Sequence, residues 1–438
     1  MSRIDLTRTT VIVARISGAL LLAGATLAAP VDAQLPQASA SALGLGFNTT
    51  ASARGFGALA NNPAGLSMDD SPGFSLAIPA VAAQTGLGPI TLSDLAEWEG
   101  QLVPGSVKET WLESVTASGS QSGTVAAGVT PVAFNIGSLG FQLSAQAGSQ
   151  VSLGPDAVEL LLYGNAGRTG SAGNFDLEGS SMDAFVLSTA AVGYGFRAAP
   201  QLHLGVTGKY SVGSGLVVGR DLGSSLQSDP LRAQVQFPVL FTDFEDEFGN
   251  EREGAYDNGS GFGVDVGAIW VGPSMTVGVS IQNIVNTFEW DFSGFSYVPG
   301  QALFEPGTGE SDFDKLPADG APQELLDAAD ELTLKPVYAV GVQVEPTSLL
   351  MISADIRKRA AGGLALGPEF HMGVGAELRA LSFLPLRGHV AAVTDGVQVG
   401  GGASLVLGPL NLSGGIALRT GDFGDATLGM VTMSFGGN

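Results

Sequence analysis

The stretch Leu350-Met351-Ile352-Ser353-Ala354-Asp355-Ile356-Arg357 decides the fold. In an extended chain successive side chains point to opposite sides, so Leu350, Ile352, Ala354 and Ile356 share one face. Met351, Ser353, Asp355 and Arg357 share the other. The next run repeats the pattern, with Met372, Val374, Ala376 and Leu378 opposite His371, Gly373, Gly375 and Glu377. Further on, Leu410, Leu412, Ile416 and Leu418 oppose Asn411, Ser413, Ala417 and Arg419. Strand after strand with one apolar face and one charged face describes the wall of a membrane barrel with a wet interior. A β-sandwich also alternates, but its core cannot hold recurrent unpaired charges.

Composition agrees. The chain of 438 residues is 45% hydrophobic and only 14% charged, yet past the N-terminus it has no apolar run long enough for a membrane helix. A barrel removes the conflict, because its lipid-facing residues are every second one. The 64 glycines suit tight turns and crowded walls. With no cysteine, the chain has no disulfide, thiolate metal site or lipid-modified cysteine. A net charge of -23 repels phosphate backbones, so nucleic acid is not an expected partner.

Residues 1–33 read as a secretory signal: Arg3, Arg8 and Arg15 precede the apolar core Ile16–Ala29, and Val31-Asp32-Ala33 ends on a small residue. The expected division is a signal over 1–33, an N-terminal plug with short helices and a first strand over 34–120, and the barrel over 121–438. Thr91 or Ser93 caps a first short helix, and Pro104 separates it from a second that runs to Val115. Candidate strands are Phe74–Ala82, Thr124–Asn135, Ser138–Val151, Ala184–Phe196, Leu202–Val217, Leu231–Phe241, Gly261–Val271 and Met275–Thr287. Lys335–Glu345, Leu349–Arg359, Phe370–Leu378, Leu386–Thr394, Val397–Leu407, Leu410–Arg419 and Leu428–Phe435 follow. Since single-chain barrels favour even numbers, the expected fold is all-β, a transmembrane antiparallel barrel of about 14 strands. Acidic, Phe-containing stretches at Asp221–Pro230, Thr242–Asn258 and Phe288–Leu334 are external loops, the last with a helix at Pro322–Leu332.

The segment Ala53-Arg54-Gly55-Phe56-Gly57-Ala58-Leu59-Ala60-Asn61-Asn62-Pro63-Ala64-Gly65-Leu66 resembles the N-terminal hatch of the FadL-type long-chain fatty-acid transporters, which carry an Asn-Pro-Ala element. The matching residues are Asn62, Pro63 and Ala64. The segment is also similar to the opening of PorV-type and conjugation-associated barrels. Glu159–Gly167 and the run Leu386–Phe435 extend the likeness more weakly. The chain departs from the family in continuing past the closing aromatic, Phe435, with Gly436, Gly437 and Asn438. The resemblance implies an outer-membrane location, a plugged lumen and passive uptake of hydrophobic or amphipathic small molecules such as fatty acids. The alternative it carries is a scaffold or shuttle for secretion or conjugation proteins.

Within that expectation, the loop aromatics Phe288, Trp290, Phe292, Phe295, Phe304 and Phe313 are candidates for an apolar ligand pocket. Arg357, Arg379 and Arg387 are candidates for a carboxylate head group, since a guanidinium offers it a planar fork. The bland alternative has them pairing with Asp355, Glu377 and Asp265 to hold barrel and plug. Catalysis finds no support: His203, His371 and His389 lie on separate strands and no Gly-x-Ser-x-Gly elbow exists. Asp243, Glu245, Asp246, Glu247, Glu251 and Glu253 form an acidic loop that fails the calcium-loop spacing, so neither metal nor other cofactor is expected.

Overall fold

A computed structural model describes residues 36–245, 250, 252, 254–364, 366–394, 396–421 and 424–436. The expected signal over 1–33 lies outside the described residues, as do Asp246, Glu247, Glu251 and Glu253 of the acidic loop.

Fourteen antiparallel strands close into a barrel. In chain order the wall strands are β1 (Phe74–Gly88), β2 (Gln121–Ile136), β3 (Leu139–Leu153), β4 (Ser181–Ala199), β5 (Leu202–Arg220), β6 (Gly259–Val271) and β7 (Thr276–Asn286). They continue as β8 (Val337–Thr347), β9 (Leu350–Arg359), β10 (Phe370–Leu378), β11 (Leu386–Val393), β12 (Gly396–Leu407), β13 (Leu410–Gly421) and β14 (Gly424–Gly436). Each pairs with its chain neighbour, and β1 pairs with β14 to seal the seam, Leu76 opposite Phe435. The wall therefore starts at Phe74, ahead of the division drawn at residue 121.

One sequence-predicted strand is not in the wall. Leu231–Phe241 splits into Leu231–Gln236 and Val239–Thr242, both in the loop between β5 and β6. The first of these joins a small five-stranded sheet outside the barrel, and Pro238 lies at the break between the two. Proline cannot donate to a ladder, which fits the break.

The two faces fall as the period-two pattern requires. Ile356, Val374 and Ile416 are about half exposed, while Ser353, Asp355, His371 and Glu377 are buried within. A row of exposed Leu, Ile and Val around a closed wall is stable only against lipid. Aromatic residues mark both rims of that band: Tyr210, Phe262 and Tyr338 towards one end, Tyr194, Phe196 and Trp270 towards the other. Tyr210 and Phe262 face each other across β5 and β6 with centroids 5.0 Å apart.

The ends differ. Connections at 137–138, 200–201, 272–275, 348–349, 379–385 and 408–409 are short and share an end with the start of β1 and the finish of β14. Long connections at 89–120, 154–180, 221–258 and 287–336 occupy the opposite end. Short periplasmic turns and long external loops are the usual polarity of such barrels. Two of the loops hold the expected helices. Leu92–Glu97 starts with a capping box, Thr91 Oγ1 accepting from Asp94 N while the Asp94 carboxylate accepts from Thr91 N. Gly105–Ser118 follows Pro104 and ends on Gly119 at φ 84°, the left-handed position glycine tolerates. A third, Gln323–Glu331, buries Leu325 and Ala329 against the loop core.

Candidate functional site

The segment from Pro36 to the start of β1 fills the lumen and makes its floor. Ala40–Gly44 is a short helix, and Pro63–Ser67 is a 3₁₀ turn with Asn62 as its N-cap. Asn62 is completely buried. Its Oδ1 accepts from Ala64 N at 3.1 Å, and its Nδ2 donates to the carbonyls of Thr50 (2.9 Å), Ala268 and Val279 (both 3.2 Å). Pro63 then takes the first helical position, where its missing N–H costs nothing. The Asn62-Pro63-Ala64 element is thus the point where plug and wall are stitched together.

Inward polar side chains hold the rest of the plug by its backbone. The Asp355 carboxylate accepts from Thr50 N (2.9 Å) and Thr50 Oγ1 (2.6 Å). Arg357 donates to the Phe47 carbonyl at 3.0 Å, Gln282 to Ala60 O at 2.8 Å and Gln142 to Pro36 O at 2.6 Å. His371 Nε2 meets Asn48 Oδ1 at 3.0 Å, and His389 Nδ1 meets Gly44 O at 3.2 Å. The fit leaves no room for side chains on the wall at some positions. A Cβ on Gly205 would strike the Pro63 backbone, and one on Gly267 would strike the Asn62 amide.

The three arginines expected at a carboxylate sit in different surroundings. Arg357 reaches the plug. Arg387 donates to Glu377 at 2.6 Å and to Ser404 at 2.6 Å, and Arg379 binds Glu377 and Glu345 at the short-turn rim. Another buried ion pair, Lys209–Asp265 at 2.6 Å, bridges β5 and β6.

Four of the six loop aromatics come together. Phe288 and Trp290 meet edge-on at 5.2 Å, Trp290 and Phe295 at 6.3 Å, and Phe292 and Phe295 at 5.2 Å. With Leu216, Leu240 and Leu325 they pack a solid core beneath the loops, and the Trp290 indole donates to Leu332 O at 2.7 Å. Phe304 and Phe313 lie elsewhere and exposed; Phe304 is in the small outer sheet. Asp243 braces this roof, accepting from Lys315 (2.7 Å) and Ser296 (2.8 Å). Burial alone would raise its pKa, but those hydrogen bonds prevail and hold it below the usual carboxylate value.

At the loop-side end of the barrel lies a cavity of about 540 Å³. None of the six aromatics lines it. Phe185, Leu332 and Leu364 give it an apolar side; Gln84, Ser122, Thr124, Gln150 and Ser152, from the loop-side ends of β1, β2 and β3, give it a polar one. These positions lie on the loop side of the plug. Strict period two from Phe74, Leu76 and Ile78 would turn Gln84 outward; the pairing shift between Ala77 and Ala80 turns it inward, which the sequence pattern does not reveal. A groove of about 370 Å³ lies on the far side of the plug, lined by Arg54, Asp69, Asp70 and His203.

Strand pairing shifts at several points around the wall, and two of these shifts lie side by side at prolines. Pairing of β1 with β14 shifts between Ala77 and Ala80, around Pro79, and pairing of β2 with β3 shifts between Val129 and Val132, around Pro131. Ladder partners between β1 and β2 are also missing at these two prolines. Proline has no N–H to give, so adjacent strands are joined there by fewer bonds. Inside this spot stand Ala80, Ala82, Thr130 and the plug residue Phe47.

A plugged barrel of 14 strands invites comparison with solved structures. The Pseudomonas putida toluene transporter TodX matches over 93% of this chain and 100% of its own, with a TM-score of 0.50 at 11% identity. This chain shares the fold of the TodX barrel. A TodX deltaS2S3 mutant, described as a monoaromatic hydrocarbon channel, matches over 92% and 99% of the two chains with a TM-score of 0.51 at 10% identity. A Pseudomonas aeruginosa FadL homologue gives a TM-score of 0.48 at 10% identity over 92% and 99%. The plugged antiparallel barrel of about 14 strands expected from the sequence is therefore the fold observed. A family model described as a family of unknown function, DUF5723, matches residues 67–284, from the end of the plug into β7. No curated protein sequence matches the chain.

Proposed function

We propose that this protein is an outer-membrane channel for passive uptake of hydrophobic or amphipathic small molecules. The observation that carries this reading is a loop-side cavity inside a wall that is apolar outside, in a barrel whose lumen is filled by the plug. A solute entering from the loop side finds no axial route past Asn62, Thr50 and Phe47. The weakly bonded wall around Pro79 and Pro131 then offers the way out, into lipid. The roof aromatics Phe288, Trp290, Phe292 and Phe295 would serve capture by holding the loop core in place above the barrel, while Phe185, Leu332 and Leu364 supply the apolar surface of the cavity. The FadL-type fold supports the same reading.

The test is mass spectrometry of small molecules extracted from the purified protein, beside a variant lacking residues 34–73. A stoichiometric amphiphile that is lost or exchanged without the plug is the expected result. An empty barrel that instead carries a bound protein would refute uptake and favour the scaffold role. Replacing Phe292 and Phe295 by alanine is expected to weaken solute capture while leaving the barrel folded.

A further inference from the structure

We infer that the cavity selects an amphiphile with a neutral, hydroxyl-rich head group, rather than a plain hydrocarbon or a simple carboxylate. The inference rests on the uptake reading and specifies its substrate class. Its basis is the chemistry of the lining. Among the described residues, the side chains of Gln84, Thr124 and Gln150 make no hydrogen bond to the protein, and all three line the cavity. Ser120, Ser122 and Ser152 form a short chain beside them, with Oγ separations of 3.3 Å and 3.1 Å. Amides and hydroxyls both donate and accept. A sugar-like or polyol head does the same, whereas a carboxylate only accepts and a hydrocarbon does neither. A hydrocarbon would displace water from these groups without replacing its hydrogen bonds.

Charge argues against a carboxylate. The cavity is lined by the guanidiniums of Arg359 and Arg419 and by the carboxylates of Asp183, Glu369 and Asp425. Both guanidiniums are engaged. Arg359 donates to the carbonyls of Gly362 (2.8 Å), Leu364 (3.2 Å) and Gly367 (3.4 Å), and Arg419 to Gln398 at 2.8 Å. Asp183 is held by a bidentate contact from Arg220 at 2.6 and 3.1 Å. An entering anion therefore meets no surplus of positive charge. Across the cavity, Phe185, Leu332 and Leu364 provide the surface for the apolar part of the ligand.

The experiment uses the full chain in lipid nanodiscs, titrated with labelled octyl glucoside, octanoate and octane, with empty nanodiscs defining non-saturable uptake. Octyl glucoside is expected to bind saturably and most tightly. The double variant Thr124→Val, Gln150→Leu keeps the side-chain volumes and is expected to weaken it about tenfold, the worth of two hydrogen bonds. Octane or octanoate binding most tightly, with no change in the variant, would overturn the inference and leave the uptake reading intact. No saturable binding of any of the three would remove the uptake reading itself. Heat-modifiable migration on gels establishes that the variant barrel is folded.

Discussion

Replacing Asn62 by alanine is expected to loosen the plug measurably while leaving the wall intact. The substitution removes the N-cap acceptor of the 3₁₀ turn, whose loss typically costs about 1 kcal/mol. It also orphans the buried Thr50 carbonyl and weakens the bridge to Ala268 and Val279, at about 0.5–1.5 kcal/mol for each net hydrogen bond. The total is roughly 2.5–5.5 kcal/mol against local opening, equivalent to about 60- to 8,000-fold. Hydrogen exchange of the plug amides around Thr50 and Ala64 reads this directly, with the amides of β12 and β13 as an internal control. Asn62→Ser keeps an acceptor at the cap and should recover part of the loss. If exchange in Asn62→Ala stays within about threefold of wild type, the stitching role assigned to this side chain is wrong.

Three more perturbations follow from the same geometry. Lys209→Met strands the Asp265 carboxylate inside the wall, a loss of about 3–5 kcal/mol, and the double change with Asp265→Leu should recover most of it; thermal unfolding of the barrel checks both. Gly267→Val drives a side chain into Asn62, so the plug should become protease-sensitive while the heat-modifiable barrel persists; a protected plug would count against the close fit. The Asp243 pKa is depressed in the folded protein, so its bonds to Lys315 and Ser296 stabilise the roof above the unfolded carboxylate value and are lost as pH falls through the lower folded value. Limited proteolysis of the loops should accelerate in that acid window, and Asp243→Asn should abolish the acceleration.

Much of the wall was legible because a membrane barrel imposes its pattern on single residues. Leu350–Arg357 has to be apolar on one side and wet on the other, and nothing else in the fold alters that demand. Leu231–Phe241 misled because it alternates equally well, although Pro238 interrupts it and its strands belong to the loops. What the sequence could not give was the identity of partners brought together by closure. Asp355 and Arg357 read as charges awaiting one another or a ligand, whereas the structure gives both to plug backbone groups more than 300 residues away in the chain. Backbone carbonyls leave no trace in a list of side chains. The polar cavity was missed for a related reason: Gln84, Thr124 and Gln150 stand on separate strands, and only their shared height above the plug makes them a surface.

The close fit between wall and plug also bears on how the molecule is made. The plug precedes β1 in the chain, and β1 must wait for β14 before the seam can close. Gly205, Gly267 and the hydrogen bonds from β3, β7, β9, β10 and β11 match a shape already present inside. Wall and plug are therefore complementary to each other in the finished molecule, with these five strands bonded to the plug at fixed points. A chain deprived of residues 36–73 would have to close around water, with carboxylate, imidazole and amide groups facing a hollow they are shaped to grip.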